Sequence, residues 1–217
     1  RIKDITNVAH GCKMIKVYAG DKEEYTTFLT PEASYAYDQY IQYRMDSGKE
    51  VTSESYVFSH YARKNEPLPR TGVNAVLARI VKKTNIRGDV KQCGIDGKGV
   101  RYNTQLLHGF RKRFNTILKE NNEVNDNAIE KMMGHKNGLD ATYLQIPDER
   151  LLEHFMKGAI DLTVSDDHRF KLETKKLQKE NQELEAQLEE RIKLQDEKIE
   201  RFEKKYRYLD APEEYLK

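Results

Sequence analysis

Four polar side chains within residues 104–147 are of the types that carry out chemistry on a phosphodiester. In chain order they are His108, Arg111, His135 and Tyr143. Arginine suits a phosphate because its planar fork donates two hydrogen bonds at once, and histidine can donate a hydrogen bond or move a proton near neutral pH. A deprotonated tyrosine is an oxygen nucleophile that can hold a covalent intermediate. Phosphoryl transfer needs such a nucleophile and cations around the phosphate, so these residue types suit that reaction.

A helix is predicted to position the first two of these residues. His108 and Arg111 are three residues apart, a spacing that places both side chains on one face of a helix. Asn103 or Thr104 is the predicted N-cap, and the helix is expected to end near Glu120. Taken alone, a surface histidine beside a surface arginine is the alternative interpretation.

A second, shorter helix is predicted to present the later histidine. Asn125 or Asp126 is its expected N-cap, and the helix should run to Met133, directly before Gly134 and His135. A Gly-His pair of this kind is by itself most often only the end of a helix.

Tyr143 follows His135 by eight residues and lies in a segment, 139–144, for which we predict a turn or a short helix. The sequence has no other tyrosine between residues 103 and 205, so no rival nucleophile is near. A lone tyrosine on an amphipathic helix is usually a core or rim residue, and that is the alternative interpretation of this side chain.

In this order and in a basic neighbourhood, the four residues resemble the C-terminal catalytic half of the tyrosine recombinases, the phage-type integrases, and most of all archaeal integrases. The resemblance covers about residues 1–163 and is strongest in 104–147. In that family an H-x-x-R helix and a later G-H pair flank a phosphodiester that a tyrosine attacks. The resemblance implies a mainly α fold with a small antiparallel β-hairpin or sheet. It also implies DNA cleavage and rejoining through a 3′-phosphotyrosine intermediate.

The catalytic roles implied by the resemblance can be carried over residue by residue. His108 and Arg111 match the family's second catalytic box. His135 matches the histidine of the third box, and Tyr143 matches the nucleophile. The family usually has nine residues from that histidine to the tyrosine, whereas this chain has eight.

A β-hairpin is predicted over residues 14–29, because two runs rich in β-branched and aromatic residues flank a Gly-Asp turn. The family resemblance places a catalytic lysine on such a hairpin, where it reaches the minor groove and protonates the leaving 5′-oxygen. Lys22, in a Gly-x-Lys-Glu sequence, is the candidate and Lys16 is the reserve. Some relatives carry this lysine three residues earlier, where this chain has Ala19. A solvated turn lysine is the alternative for Lys22.

The family's first catalytic arginine has no counterpart in the sequence. That arginine lies in a Gly-x-Arg motif shortly before an Arg-x-x-Asp-Ile segment, and residues 1–5 resemble this later segment. Arg1 is therefore not expected to be the catalytic arginine. We expect the chain to lack the first part of the catalytic domain and the N-terminal core-binding domain, and to be inactive alone.

The composition favours a nucleic-acid partner over a membrane or a nucleotide. The net charge is only +2, but residues 101–119 contain no acidic residue and a stripe of basic ones, which favours phosphate binding. This basic stripe consists of Arg101, Arg111, Lys112, Arg113 and Lys119. We expect no signal peptide, and the sequence has no apolar run that could span a membrane and no P-loop motif. We expect a cytoplasmic protein that binds double-stranded DNA and uses no cofactor.

The two cysteines add no further chemistry. Cys12 and Cys93 are too few for a disulfide framework, and their spacing is not that of a metal site. Both are interpreted as reduced, buried thiols, and we predict no metal site.

Other segments of the first 163 residues are predicted to form helices and one loop. A helix should begin at Pro31 after the N-cap Thr30 and run to about residue 48, and a second should cover 71–84. The glycine-rich segment 85–100 is predicted to be a loop. An amphipathic helix is predicted over 148–162. In the family, a segment after the tyrosine often packs onto a neighbouring protomer; packing within its own domain is the alternative for this helix.

The chain is predicted to have two domains, a catalytic domain over 1–163 and a C-terminal coiled-coil extension over 164–217. From Arg169 onward Glu, Lys, Gln and Leu dominate, and apolar residues recur at spacings of three and four, which is typical of a long coiled-coil helix. A second step of four, from Leu188 to Ile192, is a stutter. The predicted seam includes Leu177, Asn181, Leu184, Leu188, Ile192, Ile199 and Phe202. The asparagine favours a two-stranded assembly, and a single charge-laced helix is the alternative.

Two functions of different classes remain open from the sequence. The first is an enzyme of site-specific DNA recombination and integration, typical of mobile genetic elements, that assembles as a tetramer on DNA. The second is a catalytically defective integrase remnant that binds DNA and oligomerises. An upstream Gly-x-Arg helix would favour the first, and a genuine start near residue 1 would favour the second.

Overall fold

The computed structural model describes most of the chain. The described residues are 1–60, 66–86, 90–93, 99–102, 105–135 and 145–209, with the backbone alone at 90–93, 99–102 and 207–209. They divide into two compact units, Arg1–His168 and Arg169–Lys217. The predicted fold class is confirmed, because the described chain is mostly helical with a small antiparallel sheet and a long C-terminal helix.

The first sheet has three antiparallel strands, β1 (Ile5–Asn7), β2 (Lys13–Val17) and β3 (Tyr25–Leu29), in that spatial order. The predicted hairpin is β2 and β3, which pair throughout their length. Its connection is longer than a Gly-Asp turn, since residues 18–24 separate the strands. Two successive turns fill this connection, and the first places Gly20 at a φ of +83°.

The first α-helix of the chain, α1 (Pro31–Asp46), begins where its capping signals predict. Thr30 is the N-cap, and its Oγ1 accepts a hydrogen bond from the backbone N–H of Ala33 at 3.2 Å. The carboxylate of Glu32, in the first turn, accepts hydrogen bonds from the backbone N–H groups of Val164 at 2.8 Å and of Ser165 at 2.9 Å. We refer to these two bonds as the Glu32 clasp.

The predicted helix over 71–84 is confirmed as α2 (Arg70–Thr84), but the prediction of a loop over 85–100 is wrong. Two strands, β4 (Val90–Cys93) and β5 (Gly99–Tyr102), pair as an antiparallel hairpin in this region. Valine and tyrosine, which favour strands, occupy positions 90, 100 and 102. The loop was predicted because glycines lie among them.

The helix that carries His108 is α3 (Leu107–Glu120), which ends at the residue predicted. Its predicted N-cap is wrong. The N-cap is Leu106, without a side-chain hydrogen bond, because the helix begins three residues after Thr104. Asn103 and Thr104 themselves lie outside the described residues.

The next two helices agree with their predicted bounds. α4 (Asp126–Met132) is capped by Asn125, whose Oδ1 accepts from the backbone N–H of Asn127 at 2.8 Å and of Ala128 at 3.4 Å. α5 (Asp148–Leu162) follows Pro147. It packs within its own unit against α3, α4 and β3, the alternative left open by the sequence.

A hydrophobic core joins the first sheet to α3, α4 and α5. The rings of Phe28 on β3 and Phe114 on α3 both contact the ring of Phe155 on α5, with centroids 5.5 and 6.3 Å away. Gly158 lets α5 approach α3 closely, since a Cβ there would overlap Cδ2 of Leu118. These contacts fix α3 and α4 relative to each other, and those two helices carry the candidate site.

The C-terminal helix, α6 (Asp166–Leu209), begins three residues before Arg169. Its apolar seam residues are more than half exposed in the single chain. The coiled coil and the boundary between domains at residue 163 stay predictions. Among the described helices, none is long and apolar enough to cross a membrane.

Candidate functional site

The structure brings together two of the predicted site residues, Arg111 on α3 and His135 after the end of α4. Nη2 of Arg111 lies 2.9 Å from Nε2 of His135, although the residues are 24 positions apart in sequence. The same Nη2 also donates a hydrogen bond to the carbonyl oxygen of Met133. The guanidinium is therefore docked on the C-terminal end of α4, beside the imidazole.

The end of α4 has a geometry that glycine makes possible. Gly134 has a φ of +68°, a left-handed conformation that L side chains rarely adopt. Its N–H donates to the carbonyl of Lys131 at 3.0 Å, and the N–H of His135 donates to the carbonyl of Glu130 at 2.9 Å. This is the Schellman arrangement, which satisfies the last carbonyls of a helix. It turns the backbone sharply and places His135 beside the last turn of α4.

The first sheet contacts this turn directly. A Cβ at residue 134 would lie 2.5 Å from Cδ1 of the Tyr25 ring on β3. The missing side chain of Gly134 therefore serves both the backbone conformation and the close packing of the turn on the sheet.

Glu130 belongs to the site and was not identified from the sequence. Its Oε2 lies 2.5 Å from Nδ1 of His135, and its Oε1 lies 2.6 Å from Nζ of Lys119 on α3. The Lys119 ammonium and, next, the His135 ring lower the pKa of Glu130, and the carboxylate in turn raises the pKa of Lys119. The side chain of Glu130 is 15% exposed, so solvent screens this interaction only in part.

The sequence contains one of the two features that place Glu130 in the site, its spacing from His135, but not its pairing with Lys119. A carboxylate five residues before the Gly-His histidine can return to it once the helix ends in a Schellman turn. The pairing with Lys119 depends on how α3 packs against α4, and no local pattern reveals that.

Three other predicted site residues, His108, Lys22 and Lys16, are exposed. His108 is exposed on α3, one turn before Arg111. Lys22 is exposed in the connection between β2 and β3. Lys16 is exposed on β2 and lines an open groove of about 530 Å³ together with Arg1 and Asp4. Tyr143 lies outside the described residues.

The basic stripe faces a mixture of solvent and protein. Lys112 is exposed, while Arg113 donates a hydrogen bond to the carbonyl of Asp161 at 3.3 Å and Lys119 pairs with Glu130. Arg101 lies on β5, where only the backbone is described. Arg111 and Lys112 are thus the members of the stripe best placed, among those with described side chains, to meet a phosphate.

Arg1 has protein partners of its own. Its Nη1 lies 2.7 Å from Oε2 of Glu54, and its guanidinium stands over the ring of Tyr56, 5.2 Å from the centroid. The hydrogen bond to Glu54 is the main cause of its raised pKa. That Arg1 is not the catalytic arginine stays a prediction.

Comparison with known proteins identifies the family. The model of the phage integrase family matches residues 1–144. The chain therefore belongs to the phage integrase family, the tyrosine recombinases. No curated protein and no solved structure matches the chain.

Proposed function

We propose that the protein cleaves and rejoins DNA at specific sites through a 3′-phosphotyrosine intermediate. Family membership supports site-specific recombination at the level of the family. The observation that carries the proposal is the contact between Arg111 and His135 at 2.9 Å. Two side chains suited to binding a phosphate thus converge, from separate helices, at the exposed end of α4.

The proposed reaction assigns one role to each residue. The phenol of Tyr143 loses its proton to solvent and its oxygen attacks the scissile phosphorus, and the bond from phosphorus to the 5′-oxygen breaks. Arg111, His108 and His135 stabilise the charge on the pentacoordinate phosphorus, and Lys22 gives its proton to the leaving 5′-oxygen. The phosphotyrosine conserves the energy of the phosphodiester, so rejoining needs no nucleotide.

The contacts of Arg111 suit this role. A guanidinium carries five N–H donors and no acceptor. One nitrogen can remain on the Met133 carbonyl while the others donate to a phosphate, so the arginine is oriented before DNA arrives. Preorganised donors stabilise a transition state without the cost of reorientation during the reaction.

Covalent trapping tests the proposed function. The complete reading frame that contains these 217 residues is expressed and incubated in EDTA with a nicked suicide substrate. The substrate comes from a library of DNA sites selected by binding. We expect an adduct that survives denaturing electrophoresis, disappears with protease and is absent in Tyr143→Phe, which has no nucleophilic oxygen.

Other outcomes of the trapping experiment contradict specific parts of the proposal. An adduct that persists in Tyr143→Phe shows that the nucleophile is another residue. Cleavage that requires magnesium shows another mechanism. Site-specific binding without any adduct indicates the alternative function, a catalytically defective DNA-binding protein.

The chain is expected to bind duplex DNA with a steep dependence on salt. The basic stripe would release counterions when it meets phosphates, so the affinity should fall strongly between about 50 and 500 mM salt. Fluorescence anisotropy with a labelled duplex measures this, and Lys112→Ala should reduce the slope by about one. Equal affinity at both salt concentrations would contradict an electrostatic interface.

The chain is also expected to dimerise through α6, with a second copy of the same helix as the partner. Leu184, Leu188 and Ile192 are each more than half exposed in the single chain, and pairing would bury them. Leu184→Lys places a charge in the seam and should shift the protein to monomer in sedimentation equilibrium. Gln182→Lys adds the same charge outside the seam and should leave the dimer intact. A wild-type monomer at tens of micromolar, or equal effects of both variants, would exclude this interface.

A further inference from the structure

Both ring nitrogens of His135 have partners, and the partners come from different helices. Nδ1 lies 2.5 Å from the Glu130 carboxylate on α4, and Nε2 lies 2.9 Å from the Arg111 guanidinium on α3. The ring is therefore held on two opposite sides, and its orientation does not depend on one contact.

The chemistry of the two partners determines where the proton of the imidazole lies. A guanidinium nitrogen can only donate, so Nε2 of His135 must accept. A neutral imidazole carries one proton, which then lies on Nδ1 and is donated to Glu130. The Glu130 carboxylate can accept it because it is ionised, since the ammonium of Lys119 and the ring of His135 keep its pKa low.

We propose that Glu130 is a positioning residue that holds the proton on Nδ1 of His135 and directs Nε2 toward the reacting phosphate. This inference rests on the proposed function. When a phosphate binds, Nη2 of Arg111 keeps its bond to the Met133 carbonyl but gives up its contact with Nε2, and Nε2 then takes up a second proton from solvent. The Nε2–H bond then points to a phosphate oxygen. The anionic Glu130 balances the positive charge of the imidazolium, and Lys119 holds Glu130 in place.

The charges around the ring define how this device responds to pH. Among the described residues, Arg111 on α3 and Glu130 on α4 contact the ring, Lys119 on α3 contacts Glu130, and Asp126 acts on Lys119. On the side of the sheet, the ring of Tyr25 lies against Gly134 in the turn. Of these carboxylates, Glu130 is the one that contacts His135.

The position of the proton is measured by long-range ¹H–¹⁵N spectra of the DNA-free chain with ¹⁵N-labelled histidine. The protein has six histidines, and the His135→Asn variant assigns the signal of interest. We expect a neutral ring protonated at Nδ1 in the wild type and a shift toward the Nε2 tautomer in Glu130→Ala. Glu120→Ala removes a carboxylate near Lys119 without contact to the ring and should leave the spectrum unchanged. A wild-type ring protonated at Nε2, or one insensitive to Glu130→Ala, overturns the inference.

The second readout is the pH dependence of binding to a labelled DNA duplex. Because Nε2 takes up one proton on binding, we expect the affinity for DNA to rise as pH falls, by at most about tenfold per pH unit. In Glu130→Gln, which keeps the shape and removes the charge that balances the imidazolium, this pH dependence should move to lower pH. An unchanged profile in Glu130→Gln contradicts the role of the carboxylate.

The two readouts separate the inference from the function on which it rests. Nδ1 protonation in a chain that does not bind DNA supports the placement of the proton and contradicts the DNA-directed function. Strong DNA binding with Nε2 protonation supports the function and contradicts the role of Glu130. Thermal unfolding of each variant shows whether a change at the ring reflects loss of the fold.

Discussion

Replacing Arg111 by lysine is expected to reduce covalent trapping of DNA about a hundredfold or more, while DNA affinity changes little. An ammonium keeps the charge that attracts phosphate. It cannot donate two parallel hydrogen bonds to the phosphate or hold the Met133 carbonyl and the His135 ring in the same geometry. The loss should therefore appear in the rate of adduct formation at saturating protein, measured on a denaturing gel.

The matched control for this variant is Arg113→Lys, the same chemical change two positions further along α3. Arg113 donates to the carbonyl of Asp161, away from the His135 turn, so trapping should stay near the wild-type rate. Equal losses in both variants would mean that a change from arginine to lysine anywhere on α3 reduces trapping. The docked position of the Arg111 guanidinium would then not explain the effect. A wild-type rate in Arg111→Lys would remove Arg111 from the reaction.

Gly134→Ala is expected to destabilise the protein by about 2–4 kcal/mol, the largest effect on stability that the site predicts. The left-handed φ of +68° costs an L side chain about 1–2 kcal/mol, and the new Cβ also meets the Tyr25 ring. Urea unfolding followed by circular dichroism measures the loss. The backbone turn that carries His135 should shift at the same time, so trapping should fall as well.

The control variant Gly20→Ala separates the backbone cost of a left-handed φ from the collision with the Tyr25 ring. Gly20 has a φ of +83°, but no neighbouring atom lies within 4 Å of the position that an alanine Cβ would take, so only the backbone cost applies. The difference between the two alanine variants reports the collision with Tyr25. Combining Gly134→Ala with Tyr25→Ala should recover part of that difference, and a purely additive double variant would show that the ring is not the obstacle.

The sequence predicted the parts of this fold that local chemistry determines. Caps placed α1 and α4, because the side chains of Thr30 and Asn125 satisfy backbone N–H groups within three residues. The helical spacing of the apolar residues predicted α5. The hairpin β4–β5 was missed because glycine is depleted in strands, so the many glycines outweighed the few β-forming residues between them. The N-cap of α3 was misplaced because that helix begins without a side-chain cap.

The features of the candidate site likewise divide into those that the sequence could indicate and those that depend on packing. The residue types and order of His108, Arg111 and His135 could be identified from the sequence, since their chemistry suits a phosphate. The docking of Arg111 on the Met133 carbonyl and the pairing of Glu130 with Lys119 could not. Both depend on the packing of α3 against α4, which is decided by core contacts far apart in sequence. The catalytic roles of all five residues, His108, Arg111, His135, Lys22 and Tyr143, stay predictions.

The Glu32 clasp has a mechanical consequence for the first unit. A pull along the backbone from the C-terminal side reaches that unit at the start of α6 and first loads the N–H groups of Val164 and Ser165. Their bonds to Glu32 lead the force directly to the start of α1, across a sequence separation of 132 residues. While both bonds hold, they carry part of the force that would otherwise pass through the C-terminal end of α5 alone. Less force then reaches the strands and helices that lie between α1 and α5 in sequence. The Glu32 carboxylate thus reduces the force that a pull on α6 exerts on the rest of the first unit.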